Sequence, residues 1–320
     1  MTSDINDAPA GQTPKWLLLL LPITSIVAWL FCITFIAILI GAILKKRVNS
    51  FDYSTIISRT IADTFTTILV GMSTWVVRRR DDHATDFIVV ALLLHVATFG
   101  FVQNSTSYVV GIFLRHSNVL RSINENLTFN VLLTVISAKW LISVLYTVTY
   151  AFVSEAVIDT MRGHAVCKLA SCPTMLMVVF VVLGIVSIFV IGFHWLVLFK
   201  VKQARHKEWK EDKPETSLTL RKLVAYGSPL LLYTVTSALS IVSVIIAWKI
   251  TKADSVESHD ELLPSLVTVA AVTVNLWCLR IINDVICTIL ADYRKLLPFF
   301  AVKPTRRVKP PGSIELSSFY

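Results

Sequence analysis

The sequence has few charged residues for its length. Asp, Glu, Lys and Arg make up 16% of the 320 residues, whereas apolar residues make up 55%. A soluble protein needs polar and charged residues to cover its surface, and this chain has too few of them for so much apolar surface. The composition therefore excludes a soluble globular protein and predicts that lipid surrounds much of the chain.

The sequence motifs of common enzymes are also missing. The chain has only ten glycines and seven histidines, and none forms a Gly-rich phosphate loop, a zinc-binding His pair or a Gly-x-Ser-x-Gly elbow. We therefore predict no catalytic activity, no cofactor and no metal site. His95 and His194 lie in apolar segments, where a histidine bonded to a neighbouring helix is the simpler interpretation and a ligand or proton carrier is the alternative.

Cysteines are few, and their positions divide them into two groups. Cys32, Cys278 and Cys287 lie in long apolar segments and are expected to pack as small apolar side chains. Cys167 and Cys172 lie in a loop between two such segments, where they either form a disulfide or remain two free thiols.

Seven segments are long and apolar enough for a helix to cross a hydrocarbon core of about 30 Å. The first, fourth and fifth are the clearest, whereas charged or polar residues weaken the second, third and seventh, so counts of six or eight stay open. Because the period-two alternation of a β-barrel is missing, we expect an all-α integral membrane protein with a seven-transmembrane helix bundle. The predicted spans are Trp16–Leu44, Tyr53–Val77, Phe87–Leu114, Leu127–Val153, Thr174–Phe199, Leu223–Trp248 and Pro264–Leu290.

The basic residues predict the orientation of these spans. The formal net charge of +9 could suit nucleic acid, but Lys and Arg cluster at the ends of the apolar segments, so we predict no nucleic-acid partner. The loops on the N-terminal side carry 8 Lys and Arg and those on the other side carry 19, and the richer side is expected to be cytoplasmic. Residues 1–15 are therefore an expected extracellular N-terminus without a removable signal peptide, 16–290 the membrane domain and 291–320 a cytoplasmic tail.

Five charged residues lie inside the predicted spans, where facing lipid would cost each about 2.5–3.5 kcal/mol. Depths estimated from the helical rise place Arg59 level with Asp284 and Asp63 level with Arg280, so we expect these two pairs. Lys139 lies near the depth of Asp63 and is expected to compete for that carboxylate. Such a cluster has alternative pairings of similar energy, as a conformational switch requires, but a static polar staple that fixes helix register is an equal interpretation.

Four stretches carry a family resemblance: Arg59–Asp63, Lys139–Trp140, Asn283–Cys287 and Ala291–Leu296. They resemble, in that order, the second-helix Ala-Asp motif, the fourth-helix tryptophan, the Asn-Pro-x-x-Tyr motif and the short amphipathic eighth helix of rhodopsin-like G-protein-coupled receptors. Asp and Cys replace the Pro and Tyr of the third motif. With its compact loops, the chain is most similar to nematode serpentine chemoreceptors.

Three departures from the family pattern concern G-protein coupling more than the fold. The third span ends Leu114-Arg115-His116, so only Arg115 matches the family's acidic-Arg-aromatic triplet. The sixth span has Pro229 near its cytoplasmic end and lacks a Trp-x-Pro kink. No cysteine lies at the outer end of the third span, so the family's usual disulfide cannot form.

The resemblance implies a plasma-membrane chemosensory receptor, with the sensory cilium as a candidate location, that binds a small extracellular ligand and signals to a heterotrimeric G protein. Arg115, Tyr293 and Arg294 would contact the G protein, and Asn283 would join the five charged residues in the switch. Each residue of the candidate ligand site could instead be a membrane-interface anchor or a packing residue. The candidate ligand site consists of His95, Tyr146, Tyr150, Tyr233 and Trp277.

Two other functions remain open. A transporter or channel could use the intramembrane charges as a translocation path, although the sequence shows no internal repeat or Gly-rich broken helices. An inverted seven-span ligand-gated channel subunit would reverse every loop. Asn126 lies in a glycosylation sequon in the third–fourth loop, which is cytoplasmic in the receptor and external in the inverted channel.

Overall fold

A computed structural model of the chain describes residues 15–77, 82–105, 107, 129–161, 216–251 and 256–297, together with isolated positions between 178 and 199. Cys167, Cys172, Arg115, Asn126 and His194, and with them the predicted disulfide, lie outside the described residues. All the regular secondary structure in the described part of the chain is helical. The all-α prediction is therefore confirmed for this part.

The described helices fall on the predicted spans, and several extend beyond them. Helix α7, for example, begins at Val256 and not at the predicted Pro264, because hydropathy marks only the apolar part of a helix. The helices are α1 (Lys15–Leu44), α2 (Ser50–Val77), α3 (Asp82–His95, continued by a π-helical turn at Val96–Gly100 and by helical residues 101–105), α4 (Phe129–Met161), α5 (the described positions between 178 and 199), α6 (Thr216–Thr251), α7 (Val256–Ala291) and α8 (Tyr293–Leu296).

Three of the described helices are long and apolar enough to cross a membrane: Trp16–Leu44 in α1, Leu231–Ile250 in α6 and Leu262–Ala291 in α7. The seventh span was expected to be weakened by its charges, but α7 is apolar enough to cross a membrane. The reason is that Arg280 and Asp284 are only two charges in a long apolar segment. Helix α4 contains the shorter apolar stretch Leu132–Val148, although hydropathy predicts it as one of the clearest spans.

Polar residues lie inside the bundle and large apolar residues lie outside it. Ile23, Ile26 and Leu30 of α1 are exposed, whereas Arg280 and Asn104 are fully buried. A soluble protein rarely exposes so much contiguous apolar surface, but lipid covers such a surface favourably. These are the features of an α-helical membrane protein.

Two apolar clusters hold the described helices together. The larger one surrounds Trp277 and joins α1, α3, α6 and α7. The smaller one lies where α1 ends and includes Phe35, Tyr53 and Leu296, so it fixes α8 against α1 and α2. The Tyr53 hydroxyl also donates a hydrogen bond of 2.7 Å to Oδ2 of Asp292, which ties the start of α2 to the junction of α7 and α8.

Helix α1 ends in a tight turn that carries three consecutive basic residues. The Arg47 N–H donates to the Ala42 carbonyl at 2.9 Å and the Lys46 N–H to the Ile43 carbonyl at 2.8 Å. This pair of bonds is the Schellman motif, which requires a left-handed residue at the position of Lys46. Lys46 indeed has φ 53°, a conformation that glycine adopts more readily. The turn fixes the backbone of Lys45, Lys46 and Arg47 at the helix end.

Candidate functional site

A buried network of charged side chains joins α2 and α7. Arg280 donates from Nη2 to Oδ1 of Asp63 at 2.7 Å and from Nη1 to Oδ2 of Asp284 at 2.6 Å. Arg59 Nη2 lies 3.9 Å from the same Asp284 oxygen. All four side chains are buried. The predicted pairs, Asp63 with Arg280 and Arg59 with Asp284, are both present, and their role as a switch stays a prediction.

Helical spacing explains why these four residues meet. Arg59 and Asp63 are four residues apart, as are Arg280 and Asp284, so each pair lies on one face of its helix. Two cations and two carboxylates give the network no formal net charge. A balanced group of hydrogen-bonded charges avoids most of the cost of a single buried charge, which explains how the apolar bundle accommodates it.

Asn104 of α3 completes the network, and the sequence analysis missed it. Its Oδ1 accepts from Arg280 Nη1 at 2.7 Å, and its Nδ2 donates to Asp63 Oδ1 at 3.1 Å and to the Gly100 carbonyl at 2.9 Å. The amide therefore satisfies both the cation and the carboxylate. The signal in the sequence is the polar run Gln103–Thr106, which lies inside an apolar span and weakens its hydropathy.

A π-helical turn at Val96–Gly100 precedes Asn104. Such a turn contains one more residue than an α-helical turn, so it shifts the residues that follow around the helix axis, and it is frequent at functional sites. Gly100 lies at its end. A Cβ atom on Gly100 would lie 2.8 Å from Cζ2 of Trp277, so only glycine allows the Trp277 ring to pack at this distance.

Trp277 connects the charged network to a cluster of aromatic rings. The Arg280 guanidinium carbon lies 4.0 Å from the centroid of the Trp277 ring, close enough for a cation–π interaction. The Phe101 ring lies 4.8 Å from Trp277 and 5.2 Å from Tyr233, centroid to centroid. Two residues of the candidate ligand site, Tyr233 and Trp277, therefore lie together beside Arg280.

The other candidate ligand residues are placed differently. His95 stacks on Phe99 at 5.2 Å, and Phe99 in turn contacts Trp140 at 5.6 Å. Tyr146 is partly buried against the larger apolar cluster. Tyr150 lies in α4, but its side chain is outside the described residues. The structure thus brings together two of the five residues and places His95 in a separate aromatic group.

Lys139 does not bond Asp63 in the structure, and its expected competition for that carboxylate stays a prediction. Its Nζ donates instead to the hydroxyl of Ser58 at 3.0 Å and to that of Ser107 at 2.9 Å. Trp140 Nε1 donates to the same Ser58 hydroxyl at 3.0 Å. Ser58 of α2 and Ser107 of α3 lie within reach of the lysine, whereas Asp63 Oδ1 bonds Asn104 and Arg280.

We expect Lys139→Met to leave the free energy of unfolding unchanged or to raise it slightly. Lys139 is a buried cation with two neutral partners, and replacing it by an apolar side chain of similar length removes the cost of its desolvation. Thermal unfolding of the detergent-solubilised protein would measure the effect. Lys249→Met, at an exposed position, is the control, and a clear drop in unfolding temperature for Lys139→Met alone would show that the cation stabilises the fold.

The remaining predicted residues lie away from the charged network. Asn283 Oδ1 accepts from Ser228 of α6 at 3.1 Å and from the thiol of Cys287 at 3.6 Å, so it links α6 to α7. Tyr293 begins α8 and is partly buried, and the side chain of Arg294 is not among those described. In the described part of the chain, no three His, Cys, Asp or Glu side chains are placed to hold a metal ion.

Comparison of the chain with protein-family models, curated proteins and solved structures found no match.

Proposed function

We propose that this protein is a seven-span receptor with its N-terminus outside the cell, which binds a small extracellular ligand and activates a heterotrimeric G protein. Three observations support this topology. Three helices are long enough to span the membrane, further helices lie on the other predicted spans, and Lys and Arg are in excess in the loops on one side. The motif resemblance to nematode serpentine chemoreceptors supports the receptor class.

The observation that carries the proposal is the way Arg280 is shared. It bonds two carboxylates, Asp63 and Asp284. Nη2 of a second cation, Arg59, lies 3.9 Å from Oδ2 of Asp284. If Arg280 moved away from Asp284, Arg59 could move about 1 Å and take its place, since a charge-assisted N–H···O bond measures about 2.7–2.9 Å. Two arrangements of similar energy are what a ligand needs in order to shift a conformational equilibrium.

The aromatic cluster gives a ligand a route to this switch. A ligand that contacted Trp277 or Tyr233 would act on the cation–π contact with Arg280 directly. The Nε1 atom of Trp277 is buried and has no hydrogen-bond partner among the described residues, so a ligand that entered the aromatic cluster would find one donor in apolar surroundings. These surroundings suit a small, largely apolar molecule with a single hydrogen-bond acceptor.

The other end of the bundle would carry the signal to the G protein. Asp284 lies two turns before Asp292, whose carboxylate accepts the hydrogen bond from Tyr53 of α2. A change in the pairing between α2 and α7 would therefore alter how α8 is held, and α8 contains Tyr293 and Arg294. Together with Arg115 these residues form the proposed contact surface for the G protein, at the cytoplasmic face of the plasma membrane or of a sensory cilium.

Epitope tags at the two termini test the proposed topology. In intact cells we expect an antibody to reach the N-terminal tag but not the C-terminal tag, and in permeabilised cells to reach both. A C-terminal tag accessible in intact cells with a hidden N-terminal tag would replace the receptor by an inverted channel subunit, and glycosylation of Asn126 would agree with that result. Both tags on one side would show that the number of spans is even.

The same cells allow a test of coupling. We expect small volatile or lipophilic compounds to raise nucleotide exchange on a co-expressed heterotrimeric G protein. A current or a substrate flux without nucleotide exchange would instead support a channel or a transporter that uses the buried charges as its path.

A further inference from the structure

A groove lies between the end of α1 and α8. Its floor and walls are apolar and include Ala37, Gly41 and Leu296, and its volume is about 250 Å³. Two cations, Lys45 and Arg47, line the same groove. The exposed position of Ala37 shows that the groove opens on the outer surface of the bundle.

The location of the groove determines what can reach it. Helix α1 has the length and composition of a membrane span and ends at Leu44, so the apolar part of the groove lies at the level of lipid chains. Lys45 and Arg47 follow directly and lie at the level of lipid headgroups. From Ala37 to Lys45 the helix rises by about 12 Å, which is the length available to a chain that lies along the groove.

The two cations are available to a ligand. The turn that closes α1 fixes their backbone through the hydrogen bonds of Lys45 and Arg47 to Gly41 and Ala42. No ion pair between described residues includes either side chain. Asp292, at the start of α8, instead accepts the hydrogen bond from Tyr53. A headgroup with negative charge would therefore meet two cations.

We propose that this groove binds one anionic phospholipid, with an acyl chain along Ala37, Gly41 and Leu297 and the headgroup phosphate against Lys45 and Arg47. The combination of an apolar groove that opens to lipid and two cations at its headgroup end matches this class of molecule at both ends. The inference requires only that α1 spans the membrane, so it does not depend on the proposed receptor function.

A helix from a second copy of the chain fits the groove less well. A helix with its side chains is about 10–12 Å wide, so a groove of about 250 Å³ could take only single side chains of such a helix and not the helix itself. A symmetric parallel pair through the small residues of α1 would also bring the three consecutive basic residues of both copies together. A whole drug-sized ligand usually occupies about 300–1,000 Å³, so part of a long chain suits the groove better.

The test compares two lipids that differ only in the headgroup. The purified full-length protein in neutral detergent receives dioleoyl phosphatidylserine or dioleoyl phosphatidylcholine, and thermal unfolding and native mass spectrometry measure binding. We expect phosphatidylserine to bind more tightly and to raise the unfolding temperature. We expect Lys45→Gln and Arg47→Gln each to weaken its binding about fivefold, and the double variant about thirtyfold.

Two matched controls separate the groove from general surface charge and from general effects of a larger side chain. Lys46→Gln removes the same charge beside the groove but at a residue that does not line it, so binding should be retained. Gly41→Leu fills the groove, and a Cβ at Gly41 meets nothing within 4 Å, so the fold should tolerate the change. Gly192→Leu, at another open glycine on the outer surface of α5, should leave binding unchanged.

Four results would overturn the proposal. Equal effects of the two lipids would remove the role of the headgroup, and equal losses in all three Gln variants would show diffuse attraction to the membrane surface. Undiminished binding to Gly41→Leu would show that no lipid chain lies in the groove. If Gly41→Leu instead changed the oligomeric state with no dependence on lipid, a second copy of the chain would be the occupant.

Discussion

Replacing Arg280 by Ala is expected to lower the free energy of unfolding by about 3–5 kcal/mol. The variant leaves Asp63 and Asp284 buried with Arg59 as the remaining cation of their network, and Arg59 lies nearer Asp284. Asn104 would also lose the cation on its carbonyl side. Because an uncompensated buried charge costs far more than an exposed one, no substitution in a loop should approach this effect.

Unfolding temperature and the yield of monodisperse protein after detergent extraction would measure the loss. Lys295→Ala, which removes an exposed cation from α8, is the control and should change the free energy by about 0.5 kcal/mol or less. A similar, small change for both variants would show that the buried ion pairs contribute little to the fold.

A double variant distinguishes charge balance from lost packing. Arg280→Gln combined with Asp63→Asn removes one cation and one anion and leaves Arg59 with Asp284, so we expect it to be more stable than Arg280→Gln alone. If stability returns but nucleotide exchange does not, the network acts as a switch. If the double variant regains both stability and a normal ligand response, the network is a static staple.

The sequence was sufficient to predict the charged pairs, because their geometry depends on helical spacing and depth alone. Residues four apart on two helices reach each other at matching depth whatever the details of packing, and this placed Asp63 with Arg280 correctly. The hydrogen-bond partners of Lys139 depend on which small polar side chains of other helices lie nearest. The sequence does not indicate that a hydroxyl such as that of Ser58 lies close to the lysine.

Asn104 illustrates a feature of the bundle that the sequence alone does not predict. The contribution of Asn104 to the charged network depends on the π-helical turn before it, and no residue type in Val96–Gly100 predicts such a turn. The polar character of Asn104 was visible, but the helix face it occupies was not. The groove at the end of α1 was hidden for a similar reason, because it arises from the contact between α1 and the short α8 and not from either segment alone.

Replacing Gly100 by Ala is expected to lower the free energy of unfolding by about 1–3 kcal/mol, the usual cost of overpacking a core. The new Cβ would lie 2.8 Å from Cζ2 and 3.1 Å from Cε2 of Trp277. Trp277 is fully buried between Phe101 and Arg280, so its ring cannot simply swing away. A shift of the ring would weaken the cation–π contact and disturb Arg280 as well.

Gly41→Ala is the matched control for this change, because its Cβ meets nothing within 4 Å. In a helix interior that substitution should be neutral or stabilise the protein by up to about 1 kcal/mol, so the two Gly→Ala variants should differ in sign. Trp277→Phe removes the part of the ring that the new Cβ would strike. We therefore expect the Gly100→Ala/Trp277→Phe double variant to be more stable than the sum of the two single changes predicts. Additive losses would show that the cost arises in the backbone of the π-helical turn and not from contact with Trp277.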